Sequence, residues 1–508
     1  MKLTMTRYFE GMALALLLSA CQGSQVPQSF TELAELPDVY PDYVGVTVPV
    51  NMAPLHFQTV NDYDEVVTRF TAGDETLVLG GRQACPDFDE WQTLTQNALA
   101  ADSISVEVFT RTGDEWQRFR PFGIFVSPDS IDPWLTYRLI SPSYVTYEEL
   151  TINQRSLETY DERIIYDNIL CSTEQNGQCI NCHYSQLGNP GRTLFHARQN
   201  LGGTMLNIDG QLSKINLKTD STLSAGVYPA WHPQQNIIAF STNNTMQSFH
   251  TQDIDKIEVL DAQSDLILYD PETNEVSIIE DEENEFETFP CWTPDGRWLY
   301  YCSAHFEWRD TAQEKSTECI LRYKDIKYNV YRKSFNPDTR RFGPREDVFI
   351  ADTLNLSATL PRISPDGRFL LLAVGEWGTF HIWHRDADLW LMDLTTDSIA
   401  PFREVNSPSV ESFHNWSSNG RWIVVSSRRD DGNFTRPFFA HVDADGHATK
   451  PFELPTDDPN YHREFMKSYN VPEFMRGPVA LKPQDFADAL KKDATQAKYG
   501  GRNIVTTE

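Results

Sequence analysis

Hydrophobic and polar residues follow one plan that recurs four times in the second half of the chain. Each copy has an aromatic or apolar pair, a turn rich in Pro, Asp, Asn or Gly, and then a hydrophobic strand. The copies are YPAWHPQQNIIAFS from Tyr228, FPCWTPDGRWLYYCS from Phe289, LPRISPDGRFLLLAV from Leu360 and FHNWSSNGRWIVVSS from Phe413. Their anchors, Trp231, Trp292, Ile363 and Trp416, lie 61, 71 and 53 residues apart. This spacing leaves room for four short strands in each unit, which predicts the blades of a β-propeller.

The turn in each copy explains why the chain folds back on itself. In the second copy, Asp295 and Gly296 close a turn after a proline, and residues 298–301 supply the next strand. A second pair of strands is predicted in each unit, as at 265–269 and 275–280. Each unit is therefore expected to form a small antiparallel sheet.

These segments resemble the WD40-like repeats of TolB-type β-propellers, whose signature is a W-S-P-D-G core. Asp295-Gly296 and Asp366-Gly367 match that core, Asn419-Gly420 matches it less closely, and Pro233-Gln234-Gln235 replaces it in the first copy. The resemblance covers the chain from near residue 200 to near residue 455 and implies a ring of five or six blades. A further blade is expected from Gly202 onward, with a hairpin about Asp209-Gly210.

The predicted fold class is all-β, with an N-terminal β-sandwich-like domain ahead of the TolB-like propeller. Short alternating strands at 103–110 and 116–126 support the sandwich. The predicted boundaries are 1–20 for a lipoprotein signal peptide, 21–39 for a tether, 40–160 for the β-sandwich-like domain, 161–198 for a connecting segment, 199–470 for the propeller and 471–508 for a C-terminal tail.

The connecting segment contains a CxxCH motif at Cys179-Ile180-Asn181-Cys182-His183. Two thiols at this spacing can add across the vinyl groups of a haem while the adjacent imidazole reaches the iron. The motif predicts a covalent haem c, with Cys179 and Cys182 as thioether sites and His183 as an axial ligand. The segment is too short for the helical fold of a small cytochrome c, so the flanking domains would have to cover the haem.

The second axial ligand is not specified by the motif. His196 is favoured because a short tether limits the entropy of loop closure. The other candidates are Met205, His232, Met246, His250, His384 and His414. An isolated histidine more often caps a turn or satisfies a core hydrogen bond, so each candidate competes with a structural role.

Zinc and a disulfide are the alternatives for the same cysteines. A possible set of four zinc ligands is Cys171, Cys179, Cys182 and His183. A redox dithiol is a weaker alternative, because nothing near Cys179 resembles the start of a helix after a strand that lowers a thiol pKa. Cys302 and Cys319 are expected to bridge each other, since they bracket a polar insertion.

The N-terminus resembles the signal of a bacterial lipoprotein. Lys2 and Arg7 precede a short apolar run at 11–18, which is too short to span a bilayer. The run ends in Leu-Ser-Ala-Cys, which makes Cys21 the expected lipidation site. Gln22 after that cysteine favours the outer membrane, so the chain is predicted to be lipid-anchored in the cell envelope, facing the periplasm or the cell surface.

The charge of the chain narrows the choice of partners. The sequence has 73 acidic against 43 basic residues and a formal net charge of -30. This argues against nucleic acid as a partner and is compatible with a basic redox protein. No G-x-S-x-G elbow, H-E-x-x-H helix or P-loop motif occurs in the sequence, so no catalytic residues are assigned.

The whole arrangement resembles exported lipoproteins of Gram-negative bacteria in which a TolB-like propeller follows a haem-c signature. That resemblance implies electron transfer or redox sensing at one haem, with a redox or envelope protein docked on the propeller; any catalysis would be that of a haem-based oxidoreductase. The alternative is a non-redox scaffold that binds a protein or glycan at the propeller face. In that case zinc or a disulfide would account for the Cys/His cluster.

Overall fold

The computed structural model describes residues 24–141, 149–173, 175–253, 255–309 and 313–503. They form two compact units. The first comprises the described residues up to Pro128 together with Pro455–Tyr461, and the second comprises Asp129–Leu454 and the residues from His462 onward. Across these described ranges, no helix has the length and apolar character needed to cross a membrane. Cys21 lies outside the described residues.

The first unit has a seven-stranded sheet of order β1-β9-β8-β10-β3, with β5 and β6 paired beside β8, and a three-stranded sheet of order β2-β4-β7. Its elements are β1 (Thr31–Glu32), β2 (Val39–Tyr40), β3 (Thr47–Pro49), β4 (Phe57–Thr59), β5 (Glu65–Ala72), β6 (Glu75–Gly80), β7 (Gln83–Ala84), α1 (Phe88–Ala101), β8 (Ser103–Thr112), β9 (Glu115–Arg118) and β10 (Phe122–Ser127).

The helix α1 is the element that the sandwich prediction missed. Its start is a capping box, because the Glu90 amide donates to Asp87 Oδ1 at 2.8 Å and the Asp87 amide donates to Glu90 Oε2 at 2.9 Å. Trp91, Leu94 and Ala98 fall at helical spacing and are buried. The helix packs on β5, β8 and β10, so the first unit is not a pure sandwich.

The second unit is a β-propeller of six four-stranded blades. Written from the inner to the outer strand, the blades are: one, β14 (Gln178–Ser185), β15 (Arg192–Gln199), β16 (Gly203–Ile208) and β17 (Gln211–Asn216); two, β18 (Gly226–Trp231), β19 (Ile238–Phe249), β20 (Ile257–Asp270) and β21 (Glu275–Glu280); three, β22 (Glu285–Trp292), β23 (Trp298–His305), β24 (Asn329–Asn336) and β25 (Arg341–Phe349); four, β26 (Ser357–Ile363), β27 (Phe369–Gly375), β28 (Asp388–Asp393) and β29 (Ser398–Pro401); five, β30 (Glu411–Trp416), β31 (Trp422–Ser427), β32 (Arg436–His441) and β33 (Phe452–Glu453); six, β34 (Ser468–Met475), β11 (Trp134–Ile140), β12 (Thr151–Ser156) and β13 (Glu162–Asp167).

The inner strands contact one another in cyclic order, β14 with β18, β22, β26, β30, β34 and back to β14. This cycle closes the ring and resolves the predicted five or six blades to six. Blade six is shared between distant parts of the chain: β34 supplies its inner strand and pairs antiparallel with β11, with Arg138 opposite Asn470 and Leu135 opposite Phe474. The expected all-β propeller class is confirmed.

Three predicted boundaries differ from the structure. Strands β11, β12 and β13, assigned to the 40–160 sandwich and the start of the next segment, belong to blade six. The 161–198 connection contains β14 and β15 of blade one, and the 471–508 tail contains most of β34. Strand pairing decided these placements: an outer strand with ordinary alternation does not reveal which sheet it joins.

The C-terminal residues continue around the outside of the ring. Short strands β35 (Thr495–Gln496) and β36 (Lys498–Arg502) add in parallel to the outer strands of blades one and two. The remaining helices are α2 (Lys315–Leu321), α3 (Tyr461–Glu464) and α4 (Pro483–Leu490), with 3-10 turns at Asn168–Leu170, Gln186–Gly188, Tyr323–Asp325, Ala351–Leu354 and His381–Trp383. Helix α4 buries Phe486 and Leu490 in an apolar cluster with residues of blades one and six, which seals the junction where the ring closes.

Candidate functional site

Every inner strand makes a bulge at the same place. One residue in each adopts a left-handed backbone conformation, and the pairing register shifts at that point. We call these six residues the upper ring: Cys182 (φ 53°), Tyr228 (46°), Phe289 (51°), Leu360 (54°), Phe413 (46°) and Val471 (52°). Non-glycine residues in this region carry a strain of roughly 1–3 kcal/mol each. A bulge re-aims a side chain, and all six line one cavity of about 130 Å³, the upper cavity.

A second ring follows two residues later along each strand. We call it the lower ring: Tyr184, Ala230, Cys291, Arg362, Asn415 and Glu473. All of these except Ala230 line a second cavity of about 380 Å³, the lower cavity. Tyr184, Arg362 and Glu473 line both cavities, so they lie where the two spaces meet on the axis.

Glu473 is the buried carboxyl group of the lower ring. Burial raises its pKa to about 8, against the opposing charge of Arg362 and a hydrogen bond with the Ser185 backbone. Within the described residues, its Oε2 has no hydrogen-bond partner. The carboxyl group is therefore largely protonated at neutral pH. Its Oε2 is a buried polar atom on the axis that the described residues leave without a hydrogen bond.

Arg138 reaches the upper cavity from β11, the second strand of blade six. Its Nη1 donates to the Ile180 carbonyl at 3.0 Å and to Asn181 Oδ1, and its Nη2 donates to Asn470 Oδ1 at 2.9 Å. These acceptors are neutral. Arg138 is 6% exposed, and its Nε has no partner in the described part of the chain.

His183 follows the bulge of blade one and lines the same cavity. Burial and the charge of Arg138 lower its pKa to about 3, and a hydrogen bond with the Val471 backbone opposes this. The imidazole is therefore neutral, and the described residues offer no partner to its Nε2. Four other blades place a proline at this position, namely Pro229, Pro290, Pro361 and Pro472, and blade five places His414 there.

The CxxCH motif is thus the bulge of blade one. Cys182 and His183 occupy the same two positions as Tyr228 and Pro229 in blade two. Cys179 is not among the residues that line the upper cavity. It is half-buried against the apolar cluster of blades one and six, and its Sγ accepts from Asn181 Nδ2 at 3.2 Å.

This arrangement does not fit a haem. Pockets for drug-sized ligands measure about 300–1,000 Å³, a haem is larger than most such ligands, and the upper cavity has about 130 Å³. The two thiols also face different surroundings, the axial cavity for Cys182 and the apolar cluster for Cys179. Covalent haem remains a prediction from the motif.

The other predicted ligands have structural surroundings. His196 is buried on β15 opposite Asn181, with Nδ1 3.3 Å from Thr204 Oγ1, and it lines neither axial cavity. His232 caps its own turn, where Nδ1 accepts from the amides of Gln234 and Gln235. Met205 is buried in the cluster of blades one and six.

The alternative cysteine chemistries are not assembled either. Among the described residues, no three His, Cys, Asp or Glu side chains lie close enough together to hold a metal ion, so Cys171, Cys179, Cys182 and His183 do not form a zinc set. Cys302 and Cys319 are both free thiols buried in one core cluster. The expected bridge between them is therefore wrong.

A long hairpin of blade two extends the wall of the upper cavity. Its strands β19 and β20 run beyond the blade, and Thr245, Gln247 and Val259 from this extension line the cavity. The hairpin is tied to blade four by Glu258, which accepts from Trp377 Nε1 at 3.1 Å and bonds His384 Nε2 at 3.1 Å. His384, another predicted axial ligand, thus holds the hairpin in place.

Sequence reasoning missed Arg138, Asn470 and Glu473, all of which belong to blade six. One signal was available, because Val471-Pro472-Glu473-Phe474 repeats the apolar–proline–x–aromatic order of Phe289-Pro290-Cys291-Trp292. This segment of blade six lacks the Asp-Gly turn by which the other repeats can be recognised. Nothing in the local sequence of β11 indicates that Arg138 reaches the axis.

The fold and the axial rings define the class of this protein as a six-bladed β-propeller with a polar axial site. No protein-family model matches the chain, and no curated protein matches it. Similar solved structures include a prolyl endopeptidase studied for inter-domain dynamics, at 12% identity over 64% of this chain and 42% of that chain, with a TM-score of 0.34. Prolyl oligopeptidase B from Galerina marginata is similar at 10% identity over 86% and 62%, with a TM-score of 0.29. The Cps50 (Swd1) β-propeller domain of Myceliophteria thermophila is similar at 10% identity over 65% and 91%, with a TM-score of 0.27. The chain spans less than two thirds of the length of the first two structures.

Proposed function

We propose that this chain is a ligand-binding propeller protein of the bacterial cell envelope and not an enzyme in its own right. One observation carries the proposal: Arg138, His183 and Glu473 line the axial cavities, and each has a buried polar atom without a partner among the described residues. Buried polar groups are ordinarily hydrogen-bonded, and a concave apolar site with a few convergent polar groups is the usual form of a binding site. The upper ring supplies the apolar wall.

The envelope location rests on the N-terminal sequence. A lipid on Cys21 would tether the propeller to the outer membrane, where its faces could dock a redox or envelope protein, and the acidity of the chain opposes nucleic acid. Metabolic labelling with an alkyne fatty acid in a Gram-negative host tests the tether. We expect labelled wild type and unlabelled Cys21→Ala; equal labelling of both would refute a lipid on this cysteine.

Axial binding is tested by screening the protein against small neutral, cationic and anionic fragments with ligand-observed NMR. The matched variant is Leu360→Trp, which fills the upper cavity at a position where three other blades already carry an aromatic residue. We expect at least one fragment to bind the wild type and to lose binding in the variant. Fragments that bind both proteins equally, or none at all, would refute an axial binding platform.

Covalent haem for electron transfer or redox sensing is the second candidate. The motif favours it, as does His183 Nε2, which is buried without a described partner beside Cys182; the size of the cavity opposes it. The test is a pyridine haemochrome spectrum after acid-acetone extraction of protein made with a cytochrome c maturation system. A thioether-type band in the wild type that changes in Cys182→Ala would support haem, and a colourless protein would leave the non-redox scaffold.

A further inference from the structure

Arg138 is a buried cation whose described partners are all neutral. A guanidinium has five N–H donors in a planar fork. Three hydrogen bonds go to the Ile180 carbonyl and to the side-chain oxygens of Asn181 and Asn470. Within the described residues, the Nε–H and one Nη2–H have no partner. Two N–H groups on one edge of a guanidinium match the two oxygens of a carboxylate.

Burial makes this arrangement costly for the protein alone. A charge removed from water is destabilising unless it is paired with an opposite charge. No ion pair involves Arg138 in the described part of the chain, although other buried charges are paired, as Lys333 is with Glu280. An anion at the free edge of Arg138 would supply the missing charge.

The rest of the upper cavity also favours an anion. Arg198 and Arg362 line it with Arg138, and Glu473, whose burial favours the protonated form, is the one carboxyl group among the lining residues. This wall is positive inside a chain whose formal net charge is -30, so the local charge does not follow from composition.

The apolar wall sets the size and character of the rest of the ligand. Tyr228, Phe289, Leu360, Phe380 and Phe413 line the cavity with the charged groups. Its volume of about 130 Å³ is close to that of an engineered apolar cavity of roughly 150 Å³ that holds benzene. A free acid with a body of this size fits, whereas a folded partner or a peptide chain does not.

We propose that the upper cavity binds a small organic acid, with its carboxylate held by Arg138 and its apolar body packed against the aromatic residues of the upper ring. This inference rests on the axial binding platform proposed above and adds the chemical class of the ligand. Arg138 offers its Nε–H and its remaining Nη2–H to the two oxygens of the acid.

The test measures binding of four probes by isothermal titration calorimetry and ligand-observed NMR: benzoate, butyrate, benzyl alcohol and inorganic phosphate. We expect benzoate to bind the wild type at least tenfold more tightly than benzyl alcohol, which has the same ring without the charge. Phosphate, which lacks an apolar body, should neither bind comparably nor displace benzoate. Leu360→Trp should abolish benzoate binding.

Three variants assign the recognition. Arg138→Gln and Arg138→Lys should each weaken benzoate at least tenfold, because lysine retains the charge but lacks the fork. The matched control is Arg192→Gln, which removes an arginine of blade one that pairs with Asp209 at the surface and should leave binding unchanged. Circular dichroism confirms the fold, and if both Arg138 variants unfold, the contrast between benzoate and benzyl alcohol on the wild type decides the matter.

Several outcomes would overturn the inference. Equal affinity for benzoate and benzyl alcohol would show that the site does not recognise the carboxylate. Displacement of benzoate by phosphate at similar concentration would show that the site does not need the apolar body of the ligand. Undiminished benzoate binding by folded Arg138→Lys would show that the paired N–H donors of the guanidinium do not bind the carboxylate. A neutral or cationic fragment that binds, and is blocked by Leu360→Trp, would refute the organic acid while leaving the binding platform intact. Absence of any axial ligand would refute both.

Discussion

Blades two to five and blades one and six have the same inner-strand geometry but very different sequences. In blades two to five, an aromatic or leucine residue enters the bulge and a proline or histidine follows it, as in Phe289-Pro290. Blade one uses Cys182-His183, and blade six uses Val471-Pro472 on a strand 300 residues from the rest of its sheet. The ring demands a backbone bend at each inner strand, but it does not demand one side chain there.

The blades also differ in the charged residues that they supply to the axis. The lower-ring residues of blades two, three and five are neutral, namely Ala230, Cys291 and Asn415. Blade four contributes Arg362 to that ring, and blade six contributes Glu473 to it and Arg138 to the upper cavity. The junction that closes the ring thus supplies Arg138, His183 and Glu473 to the axis, and blade four supplies Arg362. The variants below test whether blades one and six differ from blades two to five in stability, in pH response and in tolerance of substitution.

The largest effect is expected on removing the closing strand. A chain that stops after Lys467 loses β34, leaves β11 without its inner neighbour and exposes the cluster of blades one and six. The loss should exceed the whole stability of a typical domain, about 5–15 kcal/mol, and abolish cooperative melting by circular dichroism. A control that stops after Asp493 removes β35 and β36 and should still melt cooperatively. A cooperative melt of the shorter chain would show that blade six is dispensable.

The residue at the anchor position should contribute more to stability in blades two to five than in blade one. Trp292 packs between blades, and its Nε1 donates to the Ala230 carbonyl at 3.0 Å. Trp292→Ala should lower the free energy of unfolding by about 3–5 kcal/mol. Ser185 holds the same position in blade one, and Ser185→Ala should change it by less than about 1 kcal/mol. Urea titration measures both, and equal losses would erase the distinction between the blades.

Glu473 should give blade six a pH response. Its pKa rises from 4.5 to about 8 on burial, so the folded state keeps a proton that the unfolded state releases. Its stabilising contribution is present below pH 4.5 and is lost as the pH rises through 8. Glu473→Gln removes this titration and should gain about 4 kcal/mol relative to wild type as the pH rises from 4.5 to 8.

The control for that series is Glu283→Gln, which makes the same substitution at an exposed glutamate in the loop before blade three, away from the axis. Urea midpoints at pH 4.5, 6 and 8, measured without added ligand, supply the data. A Glu473→Gln advantage that stays constant or falls with rising pH would show that the carboxyl is ionised in the folded protein.

The smallest effect is expected at the position after the bulge. His414 is buried, and its Nε2 bonds the Leu371 carbonyl at 3.0 Å, yet four blades carry proline there. His414→Pro should therefore cost no more than about 1 kcal/mol, close to the net value of one hydrogen bond. His183→Pro should likewise leave the fold intact. A loss above about 3 kcal/mol in urea unfolding would show that blades with histidine bend differently from those with proline.

Much of the propeller could be predicted from local pattern. The four repeats carry turns and strand alternation that operate within a few residues, so blades two to five were identified with their order. Helix α1 also has a local signal, because Asp87 and Glu90 form a capping box and Trp91, Leu94 and Ala98 are spaced as on one helix face. Blade six could not be predicted in this way, since its inner strand and its three outer strands share no local sequence feature.

The candidate site shows the same limit. Cys182 and His183 were singled out as a haem motif, and the structure places both on the axis. It also shows that their spacing satisfies the bulge of an inner strand, a role that no motif encodes. Cys179 and His196 were grouped with them by sequence proximity, but the surroundings of a side chain depend on strand register and on which sheet covers it.

The sequence by itself determined the class of fold, because alternation and turn chemistry are local properties that each repeat carries independently. Tertiary structure alone decided the number of blades, the closure of the ring by β34 and the meeting of Arg138, His183 and Glu473 on one axis. These three residues are separated by up to 335 positions in the chain. They meet because closing a ring of sheets brings every inner strand to a common axis, and neither the composition nor the local order of the residues records that convergence.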